Sequence, residues 1–110
     1  GGMKMAKETI YRYSLRTASN CWLGEVILTD SKEFFAMTDW GNFNYCWSIQ
    51  EDIRKFILHL DEDYFSRKMF QSVSYQCSTK KMEDCCKRFA SKVLPALKEA
   101  IKKELVNTEE

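Results

Sequence analysis

Thr38-Asp39-Trp40-Gly41-Asn42-Phe43-Asn44-Tyr45-Cys46-Trp47-Ser48 gathers two tryptophans, a phenylalanine and a tyrosine around a Gly-Asn step, and its reading decides the fold. Apolar side chains alternating on either side of such a step are the signature of a tight hairpin. A two-residue Gly41-Asn42 loop sets Trp40 opposite Phe43, Thr38 opposite Tyr45, Ala36 opposite Trp47 and Phe34 opposite Ile49, all on one face of the ribbon. The other face carries Phe35, Met37, Asp39, Asn44, Cys46 and Ser48. An aromatic face backed by a more polar one is what a sheet covered on one side requires, so the stretch predicts architecture and says little about chemistry. Trp40, Tyr45 and Trp47 are expected to be largely buried on the covered side.

Upstream, residues 9–17 alternate Tyr11, Tyr13 and Leu15 with Ile10, Arg12, Ser14 and Arg16, the pattern of a half-buried strand. Ser19-Asn20 supplies a turn into a second strand over residues 22–29, where Gly24 marks a bulge or a close approach. Asp30-Ser31-Lys32 turns that strand into a third over residues 33–40. Connections this short exclude parallel crossovers, so the strands of residues 9–48 form an antiparallel meander of about four strands.

Downstream the period changes. Ser48-Ile49-Gln50-Glu51 has the S-x-x-E form of a capping box, which predicts a helix starting there. Ile53, Phe56, Ile57, Leu60 and Tyr64 then fall on one helical stripe, and Asp61-Glu62-Asp63 either interrupts this helix or caps a second one running through Met69. Residues 70–76 place Val73 and Tyr75 on one side and read as a loop or an edge strand. A long last helix over residues 79–105 carries Met82, Cys85, Cys86, Phe89, Val93, Leu97, Ala100, Ile101 and Leu105, with Pro95 inside it. Interior proline costs roughly 3 kcal/mol, so a kink or a break is expected near Leu94. The fold class is therefore α+β: a meander packed on one face by two or three helices, the last of them long.

At 110 residues, 45% of them hydrophobic and 30% charged, the chain makes one domain over residues 3–110. Gly1 and Gly2 ahead of Met3 read as the remnant of an expression tag. Seventeen basic and 16 acidic residues leave a formal charge of +1, so no global field favours a polyanion. No apolar run approaches the ~20 residues that span a bilayer, and the first ten residues hold no apolar segment, so a cytoplasmic location without membrane attachment is expected. Five cysteines, with an adjacent Cys85-Cys86 and no C-x-x-C pair, suit neither a disulfide framework nor a zinc knuckle. Cys77, Cys85, Cys86 and His59 make up four potential zinc ligands, but without the short paired spacing of such sites, so free thiols and no metal are expected.

Asp39-Trp40-Gly41-Asn42-Phe43-Asn44-Tyr45-Cys46-Trp47, followed by Ile53-Arg54-Lys55-Phe56-Ile57, Leu60, Asp63-Tyr64 and Lys68-Met69, resembles a family of small uncharacterised phage and prophage proteins. Their shared pattern is an aspartate, an aromatic and glycine, alternating aromatics ending in tryptophan, then an F-R-x-F-L helix with downstream D-Y and K-L. Ile53 replaces the first aromatic of that helix, and Lys68-Met69 stands for Lys-Leu. The resemblance covers about residues 34–69. It implies a phage context, hence the cytoplasm of a bacterial host, and brings no catalytic residues with it.

Enzyme signatures are sparse, and the chain reads as non-catalytic. The single histidine, His59, falls on the polar flank of its helix with no residue nearby to orient it for nucleophilic or acid–base work. Only Gly24 and Gly41 are available within the domain, too few for a phosphate loop. Asp61-Glu62-Asp63 lacks the spaced oxygens and glycine of an EF-hand. No cofactor and no small-molecule ligand are indicated. Residues 78–105 set eight basic against four acidic side chains, a net +4, yet Glu83 with Lys87, Asp84 with Arg88 and Glu99 with Lys103 are favourable i,i+4 pairs of a self-sufficient exposed helix.

The leading expectation is thus a protein-interaction module, its partner another protein or a second copy in a homodimer. The runner-up is a nucleic-acid-binding module that uses the basic C-terminal helix with Arg12 and Arg16. Candidate contact residues are Phe35, Met37, Asp39 and Asn44 on the second sheet face. Leu97, Ile101 and Leu105 join them, because a helix of this span reaches about 40 Å, further than a small sheet covers.

Overall fold

A computed structural model describes residues 8–73 and 80–109. Strands β1 (Ile10–Arg16), β2 (Trp22–Thr29), β3 (Glu33–Thr38) and β4 (Gly41–Cys46) form one antiparallel sheet in the order β1-β2-β3-β4. Helices α1 (Ile53–Leu58), α2 (Glu62–Val73) and α3 (Lys80–Glu109) follow and cover a single face of it. This is the α+β meander with a long C-terminal helix that the sequence periods imply. No helix among the described residues is long and apolar enough to cross a membrane.

The hairpin closes two residues earlier than the Gly-Asn step suggests. Thr38 lies opposite Gly41, which makes Asp39-Trp40 the loop and pairs Ala36 with Phe43 and Phe34 with Tyr45. Thr38 builds this turn: its hydroxyl accepts from the Trp40 N–H at 3.1 Å and donates to the Gly41 carbonyl at 2.8 Å. Gly41 completes it at φ +127°, a value side chains rarely adopt. A register change by an even number leaves every residue on its expected face, so the core side is still Phe34, Ala36, Phe43 and Tyr45. Trp47, past the end of β4, stays tied to the sheet by donating its backbone N–H to the Lys32 carbonyl at 3.0 Å. Of the three aromatics expected inside, Trp47 is buried, while Trp40 and Tyr45 are half-buried.

Gly24 marks a close approach. A Cβ there would lie 2.5 Å from Thr38 Cγ2 and 2.8 Å from the Met37 carbonyl oxygen. The irregularity in pairing falls across from it, between Leu15 and Arg16.

The tether on Trp47 also explains why the Ser48 capping box goes unused. The chain is still leaving the sheet at that point, and α1 starts instead at Ile53, capped by Asp52, whose carboxylate accepts from the Arg54 N–H at 2.8 Å. Asp61 caps α2, accepting from the Tyr64 N–H at 3.1 Å, so the acidic triplet separates two helices. Lys98 donates its ammonium to the Leu60 carbonyl, which holds the corner between them. Phe70–Val73, expected as loop or edge strand, form the last turn of α2, and residues 74–76 of that stretch lie outside the described ones.

α3 runs unbroken through Pro95. Pro95 is exposed, while Phe89, Ala90, Val93, Leu94, Leu97 and Ile101 on the opposite side are buried. The lost hydrogen bond therefore falls on the wet face, where water satisfies the freed carbonyl, and apolar burial at about 25 cal/mol per Å2 outweighs it. Leu97 and Ile101 are wholly inaccessible within the single chain, and Leu105 is half-buried against the same core, which corrects the expectation that the far end of the helix seeks another surface. Along its length α3 packs on α1, α2, β1 and β2.

Trp47 packs against Phe34, Tyr45 and Phe56 with ring centroids 6.2, 4.9 and 5.3 Å away. Removing so large a buried ring costs roughly 3–5 kcal/mol, against a total stability of about 5–15 kcal/mol for a domain. Trp47→Ala should lower the urea midpoint sharply or unfold the chain at 37 °C, as read by far-UV circular dichroism.

Candidate interaction surface

Strand pairing fixes two neighbouring rows on the face that the helices leave open. One row is Arg12, Ile27, Phe35 and Asn44; the next is Ser14, Glu25, Met37 and Asn42. Their in-sequence neighbours Tyr13, Val26, Phe34, Ala36 and Phe43 point into the core, so parity alone sends these eight outward. Phe35 is 42% and Met37 45% exposed, side by side on β3. With Glu25, Ile27, Asn42 and Asn44 they line a shallow groove of about 330 Å3.

Charge on this face is balanced and incompletely paired. Arg12 and Arg16 lie on β1, Glu25 on β2 and Glu33 on β3. Glu33 accepts from the Thr29 hydroxyl at 3.1 Å. Arg12 reaches Glu25 Oε1 only at 3.9 Å, with its own side chain 62% exposed, and Glu25 Oε2 is buried with no hydrogen-bond partner among the described residues. A buried carboxylate oxygen without a donor is costly, and the rest of the Glu25 side chain, 21% exposed, is what the open face presents.

The structure thus places Phe35, Met37 and Asn44 together, with Asn44 directly across from Phe35. Asp39 is shifted into the exposed hairpin turn and does not pair with Asn44. Leu97 and Ile101 are in the core, remote from any surface. Cys46 is exposed at the margin of the open face, opposite Glu33. Of the residues weighed as zinc ligands, His59 is exposed at the end of α1, Cys86 is buried, Cys85 donates its thiol to the Trp40 carbonyl at 3.2 Å, and Cys77 lies outside the described residues. On α3, Asp84 pairs with Lys80 at 3.3 Å instead of with Arg88, and Lys87 pairs with Glu83 at 3.5 Å as expected.

One polar constellation was not anticipated. Arg54 at the start of α1 donates to Glu104 near the end of α3 at 2.6 Å and to both Asp52 oxygens at 3.3 and 3.2 Å, and its guanidinium lies 4.2 Å over the Tyr11 ring of β1. These bonds, above all, hold the Asp52 carboxyl below the usual carboxylate range. Burial first, then the Glu104 carboxylate, pushes the nearby Tyr13 phenol far up. With its donors and its face engaged, Arg54 is a clasp between helices and sheet, closed to ligand chemistry. Arg54 belongs to the recognisable helix pattern, but nothing local points to a partner 50 residues on.

A phage family, Phage_phiTE_072, matches residues 3–84, three-quarters of the chain. The chain belongs to this family. The match contains the whole sheet, α1, α2 and the first turn of α3, and extends well beyond the hairpin and helix pattern of residues 34–69. No curated protein and no solved structure matches the chain.

Two measurements check the electrostatics. The depressed Asp52 carboxyl contributes stability that is complete above the ordinary carboxylate pKa of about 4 and is lost as pH falls through its lower folded value. Asp52→Asn should therefore flatten the loss of urea stability between about pH 4 and pH 2 relative to the parent chain, with the parent showing the steeper decline. Burial, with Cys85 adding a smaller push, raises the Cys86 thiol to about 11. Iodoacetamide at pH 8 should alkylate the exposed Cys21 and Cys46 while leaving Cys86 unmodified until denaturant is added, as read by peptide mass spectrometry.

Proposed function

We propose that this phage-family chain is a non-catalytic interaction module acting in the bacterial host cytoplasm, and that it binds protein through the open face of its sheet. The observation that carries this is the Phe35–Met37 pair, each more than 40% exposed on a face whose charges cancel. An apolar centre with a polar, neutral rim suits a protein surface; a nucleic-acid surface gathers positive charge. The chemistry elsewhere supports a non-catalytic role. The single imidazole is solvent-exposed, and the buried thiol of Cys86 is shifted away from the reactive thiolate.

The nucleic-acid reading retains one supporting feature. Trp40, Lys80, Lys81, Asp84, Cys85 and Arg88 line a cleft of about 490 Å3 beside the hairpin turn, where an aromatic meets three cations. Against it, Arg12 and Arg16 lie on the open face while α3 packs on the other, so the two sets of basic residues named for that role do not converge.

Phe35→Asp leaves the core untouched, so the variant should keep the parent's melting profile. Tagged parent chain in phage-infected cells should retain a protein that Phe35→Asp loses, with nuclease treatment making no difference. Retention that nuclease abolishes and Phe35→Asp leaves intact would move the function to nucleic acid.

A further inference from the structure

We infer that the occupant of the open sheet face is a second copy of this chain, packed face to face about a two-fold axis that crosses the strands between the two exposed rows. The inference rests on reading that face as a protein-binding surface, and it names the partner.

The two rows are two residues apart along each strand, about 7 Å. A two-fold axis lying in the interface midway between them turns each row onto the other. Phe35 then stands over the partner's Met37, and Met37 over the partner's Phe35, so both exposed apolar side chains are covered by apolar surface. Asn44 stands over the partner's Asn42, where amides can exchange donor and acceptor. Arg12 stands over the partner's Ser14, one strand spacing of about 4.8 Å from the partner's Glu25 and within reach of so long a side chain.

That last contact falls on a loose ion pair of the face. Within one chain the Arg12–Glu25 pair is stretched to 3.9 Å, with the Arg12 side chain 62% and the Glu25 side chain 21% exposed. In the two-fold arrangement each Glu25 is offered a second guanidinium, and each mostly exposed Arg12 a second carboxylate. The face thus carries both halves of its own complement, apolar against apolar and cation against anion, at zero net charge. An isologous interface requires this self-complementarity. Four strands of about six residues cover roughly 400 Å2, half of the ~800 Å2 per partner in a standard interface. The dimer should therefore be reversible, forming across the micromolar range.

Sedimentation velocity on the intact chain from about 1 to 200 µM should show a monomer–dimer equilibrium. Arg12→Glu and Glu25→Arg each place like charges opposite one another twice, and each should weaken dimerisation at least about tenfold. An equimolar mixture of the two should regain it, because every cross-contact then joins unlike charges. Phe35→Asp and Met37→Lys form a second pair on exposed positions that fold independently of Glu25. Each alone should be monomeric, and their mixture should dimerise if Phe35 faces the partner's Met37. A parent chain that remains monomeric at 200 µM, or mixtures that fail to recover while circular dichroism shows folded variants, would overturn the inference. A monomeric parent whose Phe35→Asp variant still loses a captured protein leaves the protein-binding face standing with a different occupant.

Discussion

Phe89 is completely buried where three elements meet. Its ring stacks 4.2 Å from Phe43 of β4 and 5.8 Å from Phe65 of α2, and Phe65 in turn meets Phe34 of β3 edge-on at 5.4 Å. Stacked and edge-to-face rings at these separations contribute beyond the area they bury. Once Phe34 and Phe43 are committed to this cluster, strand parity leaves Phe35, Met37, Asn42 and Asn44 no choice of side. The composition of the open face is in that sense dictated from inside.

The Arg54 clasp complements the ring cluster at the other end of the helical layer. It joins the start of α1 to the end of α3 and lays the Arg54 guanidinium on the Tyr11 ring. Aromatic packing holds β4 to α2 and α3; charge and cation–π contact hold β1 to α1 and α3. The sheet is thereby gripped along both outer strands from one side only, and among the described residues nothing covers its other side.

What local chemistry determines was legible in the chain, and what distant packing determines was not. Alternation in residues 10–16 placed the first strand and its faces, because period two needs no tertiary information, and the turn signals on either side of residues 22–29 placed the second strand. Parity likewise brought out Phe35, Met37 and Asn44. The hairpin turn was misplaced by two residues because Asn42 after glycine is a strong turn signal, whereas the competing Thr38 hydroxyl bonds show only once the chain is bent. Ser48 failed as a cap for a non-local reason, the Trp47 tether to Lys32. Leu97, Ile101 and Leu105 looked available because a stripe on a helix does not reveal how many neighbours cover it. Arg54 with Glu104 was invisible for the same reason, a pairing made by the fold and by no motif.

The order in which the chain leaves the ribosome gives the lateness of α3 a further significance. The sheet is complete in sequence at Cys46, yet the surface that covers it includes Phe89, Val93, Leu97 and Ile101. At bacterial elongation speeds of up to ~20 residues per second, the roughly 55 residues between Cys46 and Ile101 take about 3 s or longer to synthesise. During that interval a nascent meander shows water the apolar side chains of Val26, Leu28, Phe34 and Phe43 as well as those of Phe35 and Met37. Chains made on neighbouring ribosomes of one message would then meet through either face. The burden of solubility during synthesis falls on the charged side chains that flank the strands, and on whatever chaperone capacity the host has to spare.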